Sequence, residues 1–131
     1  MPHVIVEYTA NLPDEADISG LLAAIASRCA DSDGVLALAG VRVRAIRLTE
    51  YFIADGKPEY AFVNVTVKIG QGRDEVFKKT FFGGLFEMIR AHLRAAGQAQ
   101  PLALSMYIEE IDETGAYRDN GVRSALGLPQ K

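Results

Sequence analysis

Pro2 is the residue whose type and position most directly suggest chemistry. Its side chain is small enough for a preceding initiator methionine to be removed. The mature chain would then begin with a secondary amine directly ahead of the apolar run Val4, Ile5, Val6. Held on the first residue of a strand, such an amine is partly desolvated, which disfavours its charged form and lowers its pKa. An α-amino group starts at about 7.7–8.0, so even a modest fall leaves much free base near neutrality. Those are the properties of a general base. They are lost if Met1 stays, because an acylated nitrogen has no basicity. Proline at position 2 is also common where the terminus is merely processed, so the rest of the chain has to decide.

The other reactive side chains point to no second centre. His3 adjoins Pro2 but alternates to the other strand face, and His92 falls near a predicted helix C-terminus, where the dipole or packing explains it. Cys29 sits on an apolar helix face and reads as core. Two separated histidines and one cysteine make no metal site. Gly70-Gln71-Gly72 lacks the further glycine or the Lys-Ser/Thr of a phosphate loop and reads as a strand-to-helix turn. Glu109-Glu110 followed by Asp112-Glu113 reads as a solvated strand end.

The elements that must position Pro2 emerge from periodicity. Residues 3–9 form a strand, and Ile18, Leu21, Leu22, Ile25 and Cys29 recur at helical spacing over 15–30. A second strand spans 41–52, with Arg42, Arg44, Ile46 and Leu48 on one face and Val41, Val43, Ala45 and Arg47 on the other. After a turn at 54–58, residues 60–69 alternate strictly, placing Ala61, Val63, Val65, Val67 and Ile69 together. A second helix covers 74–96 and ends at Gly97, with Gly83-Gly84 inside it implying close packing against a neighbour. A fourth strand covers 102–111, and beyond it runs a polar tail with Val122, Leu126 and Leu128 as its anchors.

The order is β-α-β, turn, β-α-β: two halves over 1–53 and 59–112 plus a tail over 113–131, together one domain. Each helix joins strands that can be parallel. The expected fold is α+β, a four-stranded mixed sheet with two helices on one face. Apolar residues on the other face predict a second contact surface and hence self-association.

Composition narrows the function. The chain has 131 residues, 49% of them hydrophobic and 24% charged, enough for a packed core. A net charge of −3 argues against nucleic acid as partner. No signal peptide stands at the N-terminus, and the longest apolar run, 21–26, is far too short for a bilayer. One cysteine allows no internal disulfide, and the whole fits a cytoplasmic location.

Met1-Pro2-His3-Val4-Ile5-Val6-Glu7-Tyr8 resembles the N-terminal segment of 5-carboxymethyl-2-hydroxymuconate isomerases, in the tautomerase superfamily. The resemblance continues through Leu38-Ala39-Gly40-Val41-Arg42-Val43-Arg44 and is strongest in Ala54-Asp55-Gly56, Tyr60-Ala61-Phe62-Val63 and Lys68-Ile69-Gly70-Gln71-Gly72-Arg73. Leu102-Ala103-Leu104-Ser105 and Ile108-Glu109-Glu110-Ile111 add to it, and Tyr117-Arg118-Asp119-Asn120 is a weaker echo of the family's C-terminal segment. The departures lie in the first helix, in 77–82 and in the last few residues.

The resemblance implies a homotrimer of tautomerase-like β-α-β-β-α-β subunits, with sites near subunit boundaries and no cofactor. It implies proton transfer between carbons of a carboxylated dienol in homoprotocatechuate breakdown. The family's N-terminal proline maps onto Pro2 and its active-site arginines onto Arg42 and Arg73; Arg44, on the strand face of Arg42, is a further substrate-binding candidate. Taken alone, Arg73 is more simply explained by a bridge to Asp74, Arg42 by an edge or interface charge and Arg44 by an ion pair.

Arginine suits such a substrate, because its planar fork binds a carboxylate through two parallel hydrogen bonds and stays charged. Pro2 would collect the dienol hydroxyl proton and return one to a distant carbon, leaving a conjugated ketone. Two other readings keep the fold. One is a tautomerase or hydratase of another unsaturated oxo acid; the other is a non-catalytic oligomeric ligand-binding module.

Overall fold

The computed structural model describes residues 1–129; Gln130 and Lys131, the end of the expected tail, lie outside the described residues. β1 (His3–Thr9) is followed by a 3-10 turn at Asp14–Ala16 and α1 (Ile18–Ala30). A second 3-10 turn, Leu38–Gly40, leads into β2 (Arg42–Leu48), and then come β3 (Ala61–Gly70), α2 (Glu75–His92) and α3 (Arg94–Ala99). β4 (Leu102–Ile111), a turn at Glu113–Gly115 and α4 (Gly121–Ala125) complete the order.

The sheet order is β2-β1-β3-β4. β1 pairs parallel with β2 and antiparallel with β3, and β3 pairs parallel with β4. Both helical crossovers therefore join parallel neighbours, as their length requires. The register stacks core side chains in rows: Val43, Val4, Val67 and Ile108 lie side by side, then Ala45, Val6, Val65 and Met106. α1 contributes Leu21, Ile25 and Cys29 above these rows, and α2 contributes Phe81, Phe82, Leu85 and Ile89. Both helices thus cover one sheet face. Leu85 is 0% exposed, so Leu85→Ala should cost about 2–5 kcal/mol of unfolding free energy, measured by denaturant titration.

Element ends differ from the periodic pattern where local hydrogen bonds outweigh it. α1 starts at Ile18 rather than 15 because Asp17 takes a left-handed conformation (φ 44°) and caps the helix, accepting from Gly20 N at 3.1 Å. Asp74 caps α2 by accepting from Val76 N at 2.7 Å and Phe77 N at 3.2 Å. The expected helix over 74–96 is broken at Leu93 (φ −90°, ψ 5°), so Gly97 lies inside the short α3 instead of ending α2. His92 fixes this break: its Nε2 is 3.0 Å from the carbonyl oxygens of both Ala16 and Asp17. β2 ends at Leu48, earlier than 52, because β1 runs out at the same level: Thr9 opposite Leu48 is their last pair.

The close packing expected at the paired glycines is found at one of them. A Cβ on Gly84 would collide with the Arg28 guanidinium, which lies 5.5 Å over the Phe81 ring, whereas Gly83 faces open space. The uncovered sheet face is more polar than periodicity suggested. One row across it reads Arg42, His3, Lys68, Glu109 and another Ile46, Glu7, Asn64, Ser105. Its apolar exposure is concentrated at Ile46 and Tyr107, 45% and 62% exposed.

Candidate active site

Topology brings four chain segments to one end of the sheet. β1 and β2 both begin there, with Arg42 N donating to Pro2 O at 2.9 Å, and β3 and β4 both end there, with Gln71 N donating to Ile111 O at 3.2 Å. The residues just ahead of β1 must therefore meet those leaving β3 and β4. Together they enclose a cavity of about 560 Å³. Met1, Pro2 and Gly40 line one part, Arg73 another, and Glu113, Arg118, Asp119, Asn120 and Arg123 come from the tail.

Pro2 is buried at the head of β1. Gly40 makes room for it: a Cβ there would stand 3.0 Å from Met1 Cα and 3.3 Å from Pro2 Cδ. In the unprocessed chain Met1 carries the amine. Its pKa is held below the ordinary 8.0, first by burial, then by the charges of Arg118, Arg73 and Arg42, with Glu113 acting in the opposite direction. Desolvation and cations thus dominate this end of the cavity.

Arg73 follows Gly72, whose φ of 101° belongs to the left-handed region that glycine adopts without strain. Its Nη1 donates to Gly70 O at 2.7 Å and its Nη2 to Val35 O at 3.5 Å, while its Nε is buried with no hydrogen-bond partner. No ion pair joins Arg73 to Asp74 among the described residues, where the Asp74 carboxylate is occupied in capping α2. A buried guanidinium N–H without an acceptor is costly unless a ligand supplies one.

Arg42 does not itself line the cavity but contacts two residues that do: its Nη2 is 3.2 Å from Asn120 Oδ1 and 4.0 Å from Met1 Sδ. Its Nη1 donates to Ala39 O at 2.8 Å and Val41 O at 3.1 Å. Arg44 goes elsewhere. It is exposed on the open sheet face, with Nη1 3.0 Å from His3 Nδ1, and does not line this cavity. His3 is pushed below its ordinary pKa by burial, then by the charge of Arg44.

Sequence reasoning assigned no role to Arg118, Arg123, Glu113 or Asn120. The available signal was two arginines in an otherwise weakly patterned tail, one of them inside the Tyr117–Asn120 echo. Asn120 ties that tail down, its Nδ2 donating to Ala39 O at 3.0 Å while its Oδ1 accepts from Arg42. Arg118 donates to both Glu113 oxygens, at 3.1 and 3.3 Å, which draws the Glu113 carboxyl below its usual range.

A half-buried terminal residue followed by a buried proline, among arginines, is suited to binding carboxylates beside a weakly basic amine. The family profile described as 5-carboxymethyl-2-hydroxymuconate isomerase matches residues 2–126, almost the whole chain. The chain belongs to that family. A curated relative, the 5-carboxymethyl-2-hydroxymuconate Delta-isomerase of Escherichia coli, is 39% identical over 124 residues, covering 95% of this chain and 98% of its own. The crystal structure of a 5-carboxymethyl-2-hydroxymuconate isomerase from Deinococcus radiodurans R1 is 35% identical with a TM-score of 0.90, covering 95% of this chain and 93% of that one. A fused 4-OT described as a wild-type symmetric trimer shares the fold at a TM-score of 0.68 and 22% identity, over 91% of this chain and 93% of its own. This isomerase-family chain therefore has the mixed sheet and one-sided helices expected of the tautomerase fold. No helix among the described residues is long and apolar enough to cross a membrane.

Proposed function

We propose that this isomerase moves a proton from the dienol hydroxyl to a distant carbon of 5-carboxymethyl-2-hydroxymuconate, with the Pro2 amine, freed by removal of Met1, as the base. Supporting this is one observation above the others: Met1 and the buried Pro2 share a cavity with Arg73, Arg118 and Arg123, and burial and cations already lower the pKa of the Met1 amine. Pro2 takes the proton of the dienol hydroxyl. Arg73, and Arg42 from the cavity's margin, hold carboxylates and the developing negative oxygen. The conjugate acid of Pro2 then protonates the distant carbon, giving the conjugated ketone. General acid–base transfer of this kind contributes roughly 10²–10⁴-fold, and aligned cations a comparable or larger amount. Oxidation state is unchanged throughout, so the step calls for no electron acceptor.

The same reading places the enzyme in homoprotocatechuate breakdown in the cytoplasm, working as a homotrimer whose contacts cover the open sheet face. On that face Arg44, too, would approach substrate only if assembly brought a neighbour's cavity to it. The deciding assay tracks the ultraviolet absorbance of 5-carboxymethyl-2-hydroxymuconate with purified Met-free protein. Rapid ketonisation is expected; turnover confined to a dienol lacking the carboxymethyl arm would transfer the assignment to another unsaturated oxo acid.

Glu113 offers a separate check on the base. Its carboxylate raises the pKa of the Met1 amine; the Pro2 amine of the processed chain lies one residue along, so Glu113→Gln is expected to lower its pKa and move the acidic limb of the kcat/KM profile to lower pH. An unmoved limb would place the titrating group elsewhere.

A further inference from the structure

We propose that Arg123, on α4, is the specificity-determining residue for the third carboxylate of the substrate, the one on the carboxymethyl arm. This rests on the isomerase reading above. A substrate of that class brings three carboxylates to the cavity, and the cations there differ in how much of their hydrogen-bonding capacity the protein already uses.

Arg42, at the cavity's margin, reaches a carboxylate only by giving up part of its bonding to Ala39 O, Val41 O and Asn120 Oδ1. Arg118 lies with both Nη groups on the Glu113 carboxylate, so a substrate carboxylate would replace one anion by another with little gain. Arg73 lines the cavity together with Met1 and Pro2, which fits it to the reacting diene. Arg123 combines a fixed stem with a free fork. Its Nε donates to Pro129 O, and neither Nη has a hydrogen bond or ion pair among the described residues. It is half-buried and lines the cavity.

Arg123 also comes from a different segment than Pro2 and Arg73. α4 packs against the Leu38–Gly40 turn, and Asn120, at its start, is anchored to Ala39 O at 3.0 Å. A cation on such a support can hold an arm without being fixed to the reacting end. Asp119 is the remaining lining anion that no arginine hydrogen-bonds among the described residues; Arg73 and Arg123 together outweigh it. An anchored arginine fork with unused donors is the arrangement that binds a carboxylate bidentately.

The experiment compares kcat/KM for 5-carboxymethyl-2-hydroxymuconate and for 2-hydroxymuconate, which lacks the arm, in Met-free wild type, Arg123→Gln and Arg123→Lys. Arg123→Gln is expected to lower kcat/KM on the three-carboxylate compound about tenfold or more, mainly through KM, and to change the two-carboxylate compound by less than about threefold. Arg123→Lys should recover part of the loss, and the thermal midpoints should agree. Equal losses on both compounds, or a wild-type preference for the arm that survives Arg123→Gln, would overturn this inference alone. A wild type that prefers 2-hydroxymuconate would overturn the substrate reading and the inference together.

Discussion

Arg73→Ala is expected to lower kcat/KM by about 10²–10³-fold, the scale of removing one oriented donor from a developing oxyanion. The thermal midpoint should fall by only a few degrees, a far smaller effect. The guanidinium contributes two hydrogen bonds to backbone carbonyls, Gly70 O at 2.7 Å and the longer one to Val35 O, and makes no ion pair among the described residues. Single bonds of this kind, at a half-exposed side chain, are worth about 1 kcal/mol each. The buried Nε contributes nothing favourable to the unliganded fold, since it has no partner. Stability and activity are therefore separable at this position. Equal losses of both would mean that Arg73 is a structural tie between β3 and the 35–36 loop. The variant carries a second signature: one of the cations that lower the terminal amine's pKa is gone, so the acidic limb of the rate profile should move to higher pH. Glu113→Gln should move it the opposite way, and the pair of shifts isolates the electrostatic link between cavity and amine.

Retention of Met1 is expected to abolish most of the activity, by about 10²–10⁴-fold, because it converts the proposed base into an amide nitrogen. Mass spectrometry of the native protein and kinetics of a processing-blocked form measure this directly. The working amine then belongs to Pro2, one peptide unit along and buried. Its free base is required, so kcat/KM should rise with pH and level off above the amine's pKa. Burial and the charges of Arg118, Arg73 and Arg42 depress an amine at this place below the ordinary 8.0, so the plateau should extend below the usual α-amino range. Pro2→Ala keeps an amine, though a primary one, and should retain the fold and part of the activity with a displaced limb. Full activity in the Met1-retaining form would exclude the N-terminal base altogether.

Much of the architecture is legible in local pattern. β3 alternates so strictly that its buried set, Ala61, Val63, Val65, Val67 and Ile69, is the set periodicity names. β4 begins and ends where its pattern does, at Leu102 and Ile111. The element boundaries that differ depend on contacts distant in sequence. The break at Leu93 adjoins His92, which reaches carbonyls at Ala16 and Asp17, and β2 stops where β1 stops pairing with it.

The candidate site divides in the same way. Pro2 suggests its chemistry by position, and the arginines of the strand and loop motifs through family resemblance. Arg118 and Arg123 do not, because nothing in their neighbours' spacing marks a tail as a cavity wall. Nor does spacing separate Arg42 from Arg44, which share a strand face but point to different partners, Asn120 and His3.

What the amino-acid order determined by itself is the four strands and two long helices, the apolar face of each strand and a small-residue N-terminus able to yield an imino base. These depend on side-chain period and covalent position, which act within a few residues. Only the tertiary structure decided that the starts of β1 and β2 meet the ends of β3 and β4, and so which charges surround the amine. Coulomb and desolvation effects depend on distance through space, and the antiparallel pairing of β1 with β3 sets those distances.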